Sequence, residues 1–227
     1  MDFNTYKMDE DLKKNILKTG TSLVGIVCKD GVVLAADRKM TLGGQIIAHK
    51  NFQKIYKVND YLLVSIAGQV SDAQMALKMV GAQLRLKELK SKKRASVKES
   101  AHFISSFYFQ NIRQPSMIPA IVASLVAGVN EDGKAELYNI SPDGAIKEIN
   151  TYDADGSGMM FIWGLLERQY KEDLSVGEGV ALAVEALKSS SERDVASGSG
   201  IDVYSLTKEG IKHVVSQEII PEYKNRE

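Results

Sequence analysis

From Ser22 to Ala67 the chain alternates short β-branched, apolar runs with tight-turn dipeptides, the pattern of strands joined by hairpins. Ser22 to Lys29 and Val32 to Asp37 flank Asp30-Gly31, residues suited to a two-residue hairpin loop. A second strand pair is predicted from Ile46 to Val58 and Tyr61 to Ala67 about Asn59-Asp60, with Leu62, Val64 and Ile66 alternating as in a half-buried strand. After Gly68 the period changes. Ala73, Leu77, Val80, Leu84 and Leu89 recur at helical spacing up to the basic stretch Lys90-Ser-Lys-Lys-Arg94, which reads as a solvated helix end. Ser96-Val-Lys-Glu99 has the form of a capping box and opens a second helix through Phe103, Phe107 and Ile112, which Pro115 ends by residue 114. Ala120 to Val129, Ala135 to Ile140 and Ala145 to Tyr152 then read as a meander, turned by Asn130-Glu-Asp-Gly133 and Ser141-Pro-Asp-Gly144. Helices are predicted from about Met159 to Tyr170 and Val176 to Arg193, the latter capped by Ser175-Val-Gly-Glu178. A hairpin of Ile201 to Thr207 and Ile211 to Ser216 closes the chain.

The order is strands, two helices, strands, two helices, strands. Each block of strands must cover its apolar face, and two stacked antiparallel sheets with helices outside both do so compactly. The expected fold class is therefore α+β, a four-layer αββα sandwich. A length of 227 residues suits one such domain. Hydrophobic residues at 44% and charged residues at 26% exclude a disordered or fibrous chain. The 29 basic and 29 acidic side chains cancel, so no global field favours nucleic acid or an anionic membrane. No apolar run reaches the ~18 to 20 residues of a membrane helix. The charged segment Met1 to Lys14 lacks the apolar core of a secretory signal, and a cytoplasmic protein is expected. Cys28 is the single cysteine, which excludes an internal disulfide and reads as a small buried filler.

Familiar catalytic patterns are scarce. His49, His102 and His213 are the only histidines, and each reads as a surface or structural residue. There is no Gly-x-Ser-x-Gly elbow, His-Glu-x-x-His, P-loop or dinucleotide fingerprint, so neither metal nor cofactor is expected. What stands out is Gly20-Thr21, a hydroxyl residue opening the first strand behind a charged segment that fits neither sheet nor core. A removable propeptide would have this form. A free α-amine titrates near ~7.7 to 8.0, so an N-terminal threonine carries nucleophile and base in one residue and needs no histidine. The plain alternative is a β-forming residue at the start of a strand.

Read together, Gly20-Thr21-Ser-Leu-Val-Gly-Ile-Val-Cys-Lys-Asp-Gly-Val-Val-Leu-Ala-Ala-Asp37-Arg-Lys39 resembles the start of proteasome β-type subunits, the archaeal type above all. Lys50-Asn-Phe-Gln-Lys54-Ile, Ile66-Ala-Gly68-Gln-Val-Ser-Asp72-Ala-Gln74, Gly156-Ser157-Gly158 and Glu192-Arg-Asp194-Val-Ala-Ser197-Gly-Ser-Gly-Ile-Asp202-Val resemble further segments of that family in order. The likeness runs from Thr21 to Thr207.

The resemblance implies an N-terminal-nucleophile hydrolase: residues 1–20 form a propeptide removed by cleavage between Gly20 and Thr21, and residues 21–227 form one domain. It implies Thr21 as nucleophile, Lys54 as a cation beside the Thr21 oxygen, and Asp37 as the partner of Lys54. Ser157, Asp194 and Ser197 would surround the α-amine, and the Gly68 N–H would serve the oxyanion. Met40, Phe52, Ile66 and Val70 match the pocket for the residue before the cut, and all are apolar.

Ser22, Leu23, Lys39 and Ser199 depart from common family residues, and the stretch from Met40 to Ala48 is one residue longer than in archaeal relatives. The partners implied are proteasome α-type subunits, further copies of this chain in seven-membered rings, a regulatory ATPase and unfolded protein substrates. A structural ring subunit that never matures, another hydrolase of the same nucleophile type and a non-enzymatic adaptor are the competing readings.

Overall fold

The computed structural model describes residues 20–116 and 118–220. The expected propeptide, apart from Gly20, lies outside the described residues.

The first hairpin forms as expected, with β1 (Leu23–Cys28) against β2 (Gly31–Asp37) about Asp30-Gly31. The next stretch differs from expectation. The strand predicted from Ile46 to Val58 is broken: β3 (Met40–Leu42) and β4 (Ile46–His49) make a separate small hairpin, and only β5 (Ile55–Asn59) joins β6 (Leu62–Gly68). Gly43 and Gly44 supply the small hairpin's turn with φ of 61° and 70°, a conformation that favours glycine. The break falls between β4 and β5, where the Lys54 side chain turns into the interior.

Helices α1 (Val70–Ser91) and α2 (Val97–Ile112) follow, and the Ser96/Glu99 capping box opens the second of them. The predicted meander is β7 (Val122–Val129), β8 (Ala135–Ile140) and β9 (Ile146–Ile149). Its last strand ends early, and β10 (Tyr152–Asp155) crosses to the other sheet to pair with β1. Helices α3 (Met159–Gln169) and α4 (Val176–Arg193), the latter opened by the Ser175/Glu178 box, lead to the closing hairpin of β11 (Gly200–Thr207) and β12 (Gly210–Glu218).

Two antiparallel five-stranded sheets result, ordered β10-β1-β2-β11-β12 and β5-β6-β7-β8-β9. Alternation along each strand sorts side chains between two apolar layers. On β1 and β2, Leu23, Val32, Leu34 and Ala36 meet Leu63, Leu125 and Leu137 of the second sheet. Val24, Ile26, Val33 and Ala35 face Ile162, Leu166 and Leu187 of α3 and α4. On β6, Leu62, Val64 and Ile66 pack under α1 and α2 with Val80 and Ile104, while Leu63 and Ala67 face the first sheet. The β6 strand is therefore buried on both faces rather than half-buried. The expected αββα sandwich is the observed one.

Candidate active site

Strand β1 runs antiparallel to both of its neighbours, with Leu23 opposite Ala36 on one side and Asp155 on the other. The residues just before β1 must then lie beside those that end β2 and follow β10. Strand β11 places its first residues at the same end, with Ile201 opposite Asp37. Thr21, Asp37, Ser157 and the Asp194–Ser197 loop thus converge by topology, and the second sheet brings Lys54 and Gly68 from the ends of β5 and β6.

One side of Thr21 is dry. Asp37 is 0% exposed, and both Thr21 and Lys54 are 4% exposed. Lys54 Nζ lies 2.6 Å from Asp37 Oδ1. The same carboxylate accepts the backbone N–H groups of Ser22 (2.8 Å), Lys39 (3.0 Å) and Gly198 (2.9 Å), so every face of the charge is satisfied. Burial lowers the Lys54 pKa below the ordinary lysine value; the Asp37 charge and hydrogen bond, and more weakly Asp194, oppose that fall. Lys54 Nζ also donates to the Gly20 carbonyl oxygen at 3.1 Å, and Thr21 Oγ1 donates to the same oxygen at 2.6 Å. The ammonium was expected beside the Thr21 hydroxyl; with the Gly20–Thr21 bond intact, it sits on the carbonyl that the hydroxyl also reaches. Two donors on one oxygen draw electrons from the Gly20 carbonyl carbon, the atom a nucleophile would attack.

The other side is wetter. The Thr21 N–H donates to Ser157 Oγ at 3.1 Å, and Ser157 and Ser197 each donate a hydroxyl to Asp194 Oδ2 at 2.5 Å. Ser22 Oγ in turn donates to Ser197 Oγ at 2.8 Å. Gly156 (φ 90°) passes so close that a Cβ there would lie 2.3 Å from the Thr21 carbonyl oxygen, which explains glycine at this turn.

Met40, Phe52, Ile66 and Val70 line one cleft together with Gly20, Thr21, Thr41, Lys54 and Gly68. No acidic side chain is among these residues. Gly68, at φ 110°, leaves no room for a Cβ, which would fall 2.2 Å from the Ile121 carbonyl oxygen. None of the three histidines lines this cleft, although His49 lies opposite Met40 with its ring centroid 6.4 Å from that of Phe52. His213 instead shares Asp202 with Arg38, at 2.8 Å from Oδ1, and stacks on Tyr204. Cys28 is buried, and desolvation followed by Asp30 and Glu178 pushes its thiol up to about 12, away from the reactive thiolate. Among the described residues no group of three or more His, Cys, Asp or Glu side chains could hold a metal ion, and no helix is long and apolar enough to cross a membrane.

A family model described as "Proteasome subunit" matches residues 17–206. The chain belongs to the proteasome subunit family. It is 40% identical over 200 residues to "Proteasome subunit beta 2" of Pyrococcus abyssi, covering 88% of this chain and 93% of that one. It is 38% identical to "Proteasome subunit beta" of Methanobrevibacter smithii (88% and 93% covered) and 36% identical to that of Methanocaldococcus vulcanius (88% and 87%).

Within this proteasome frame, sequence reasoning missed two hydroxyl residues. Ser22 ties both sides of the site together, and Thr41 Oγ1 accepts the Gly20 N–H at 3.0 Å. Ser22 was findable, because counting back from Asp30-Gly31 sets it opposite Asp37. Thr41 was hidden by the unassigned hairpin. The serine at 199 also has a structural correlate: its φ is 61°, in the left-handed region between Gly198 and Gly200, where a Cβ costs roughly 1–2 kcal/mol.

Proposed function

We propose that the chain is the catalytic β-type subunit of a proteasome core particle, a threonine endopeptidase that activates itself by cutting between Gly20 and Thr21. The observation that carries this reading is the meeting of the Thr21 hydroxyl and the Lys54 ammonium on the Gly20 carbonyl oxygen, at 2.6 Å and 3.1 Å.

In self-cleavage Thr21 Oγ1 forms a bond to the Gly20 carbonyl carbon and gives up its proton. The tetrahedral oxyanion collapses with rupture of the Gly20–Thr21 C–N bond, and the departing nitrogen takes a proton. Water then hydrolyses the Gly20 ester, releasing residues 1–20 and leaving the Thr21 amine free beside Ser157. Residues 21–227 remain as the single working domain.

In substrate cleavage the free amine, held by Ser157, Asp194 and Ser197, serves as the local proton acceptor and donor. The Lys54 cation, held by Asp37, lowers the proton affinity of Thr21 Oγ1. The Gly68 N–H donates to the substrate oxyanion. The acyl-threonine ester that forms is hydrolysed by water, which regenerates the hydroxyl. A cleft walled by Met40, Phe52, Ile66 and Val70 favours large hydrophobic residues before the cut, since it holds no carboxylate to receive Lys or Arg.

The relatives are named as β subunits of the proteasome, and assembly with α-type subunits belongs to the same reading. Seven-membered rings, a regulatory ATPase, unfolded cytoplasmic proteins as substrates and the cytoplasm as the site of action complete the reading.

The test uses assembled particles of wild type and Thr21→Ala. The wild type is expected to yield a chain beginning at Thr21 by intact mass, to be labelled there by a threonine-directed β-lactone, and to prefer an apolar over a basic or acidic residue before the cut in fluorogenic peptides. Thr21→Ala is expected to keep residues 1–20 and to lose hydrolysis by at least about 10³-fold. Unlabelled wild type that retains its first residues would mark a structural subunit instead, and a basic preference would refute the pocket.

A further inference from the structure

We propose that Thr41 is a positioning residue for self-cleavage: its hydroxyl oxygen holds the Gly20 N–H and so aims the scissile carbonyl at Lys54. The inference rests on the self-cleavage reading above and adds to it a residue that takes no part in the bond chemistry.

The Gly20 N–H donates to Thr41 Oγ1 at 3.0 Å, and Thr41 is only 3% exposed. On the other side of the same residue, the Gly20 carbonyl is held by Lys54 and Thr21. The Cα between them is packed against the loop before β11: a Cβ on Gly20 would lie 2.0 Å from Ala196 Cβ and 2.4 Å from the Ala196 carbonyl oxygen. The two peptide units that meet at Gly20 are thus fixed at N–H, Cα and C=O.

A glycine has two soft torsions and no side chain to anchor it, so without the N–H tether the carbonyl could swing away from the ammonium. Misplacement of a reacting group by about 1 Å can cost on the order of 10²-fold in rate. The local backbone explains how Thr41 comes to face inward. The β3–β4 pairing slips between Met40 and Thr41, where Met40 opposes His49 and Thr41 opposes Ile47. The extra residue is Ala48 on β4, so β3 keeps its regular alternation, which sets Thr41 and Leu42 on opposite faces. Thr41 is buried against Gly20, while its neighbour Leu42 is 58% exposed.

The experiment follows the appearance of chain beginning at Thr21 by time-resolved intact mass in assembling particles of wild type, Thr41→Ser, Thr41→Val, Thr41→Ala and Thr21→Ala. Serine keeps the acceptor and drops the methyl; valine keeps the shape and drops the acceptor; alanine drops both and relieves any crowding. The expected result is processing by Thr41→Ser within about threefold of wild type, with Thr41→Val and Thr41→Ala slowed by about tenfold or more. A role confined to packing predicts the reverse order, with valine near wild type and serine impaired. That result, or wild-type rates in both variants that lack the acceptor, overturns the proposal. Failure of the underlying reading looks different: wild type would not lose its first 20 residues, or Thr21→Ala would, whatever stands at position 41, and the proposal would fall with it.

Discussion

The two polar clusters flanking Thr21 are built on opposite principles. Asp37 and Lys54 form an ion pair taken out of water, with the carboxylate satisfied by three backbone N–H groups and the ammonium. Asp194, Ser157 and Ser197 form a relay of hydroxyls around a carboxylate, with Ser157 exposed and Asp194 half-buried. A buried pair holds a fixed charge where it is wanted at the cost of desolvation, and losing one partner strands the other. A half-open relay can trade protons with water at little cost to the fold. In the proposed mechanism the dry side holds charge and the wet side moves protons.

The largest break in that contrast is Asp37→Ala. It leaves the Lys54 ammonium buried without its counter-charge and orphans three N–H donors, so unfolding free energy is expected to fall by about 3–5 kcal/mol, with self-cleavage abolished. Chemical denaturation and intact mass report the two effects. Asp194→Asn keeps the shape of the relay, removes its charge and turns one acceptor oxygen into an amide donor facing either the two serine hydroxyls or the Ala196 N–H. Stability is expected to change by less than about 1.5 kcal/mol, while peptide hydrolysis drops by roughly 10²-fold. If both variants destabilise equally, the division into dry and wet sides is wrong.

A finer effect lies in the pH profile of self-cleavage. In the proposed mechanism the charged form of Lys54 is the working form, and burial lowers its pKa, so self-cleavage is expected to be lost as pH rises through a value below the ordinary lysine range near ~10.4. Asp194 supports the ammonium through space. Asp194→Asn is therefore expected to move the alkaline limb to still lower pH. A limb that stays in place when Asp194 loses its charge would uncouple the clusters.

How much of this was legible in the sequence varied with how local the signal was. The capping boxes at Ser96 and Ser175 and the Asp30-Gly31 turn act within a few residues, and each sits where the pattern set it. Strand β10 was not separable from β9, because Tyr152 to Asp155 carries no mark of which sheet it will join; pairing with β1 across more than a hundred residues decides that. Of the small hairpin, β3 carries no assigned strand signal and β4 reads as the start of a longer strand, since Ile46 and Ile47 look like any strand residues until Lys54 turns inward. Thr21, Asp37 and Lys54 were reached through likeness to a family, and spacing alone would have left Thr21 as a strand opener. Geometry then supplied what likeness had not, the placement of Ser22 and Thr41.

The crowded fit of Gly20 against Ala196 reaches beyond the local backbone. With the Gly20–Thr21 bond intact, the head of the cleft is filled by the chain's own backbone, at the spot where the proposed mechanism would place a foreign peptide bond. On the proposed reading, a newly made subunit is muzzled by the bond it is to break, and it would gain the ability to harm other proteins only by first wounding itself.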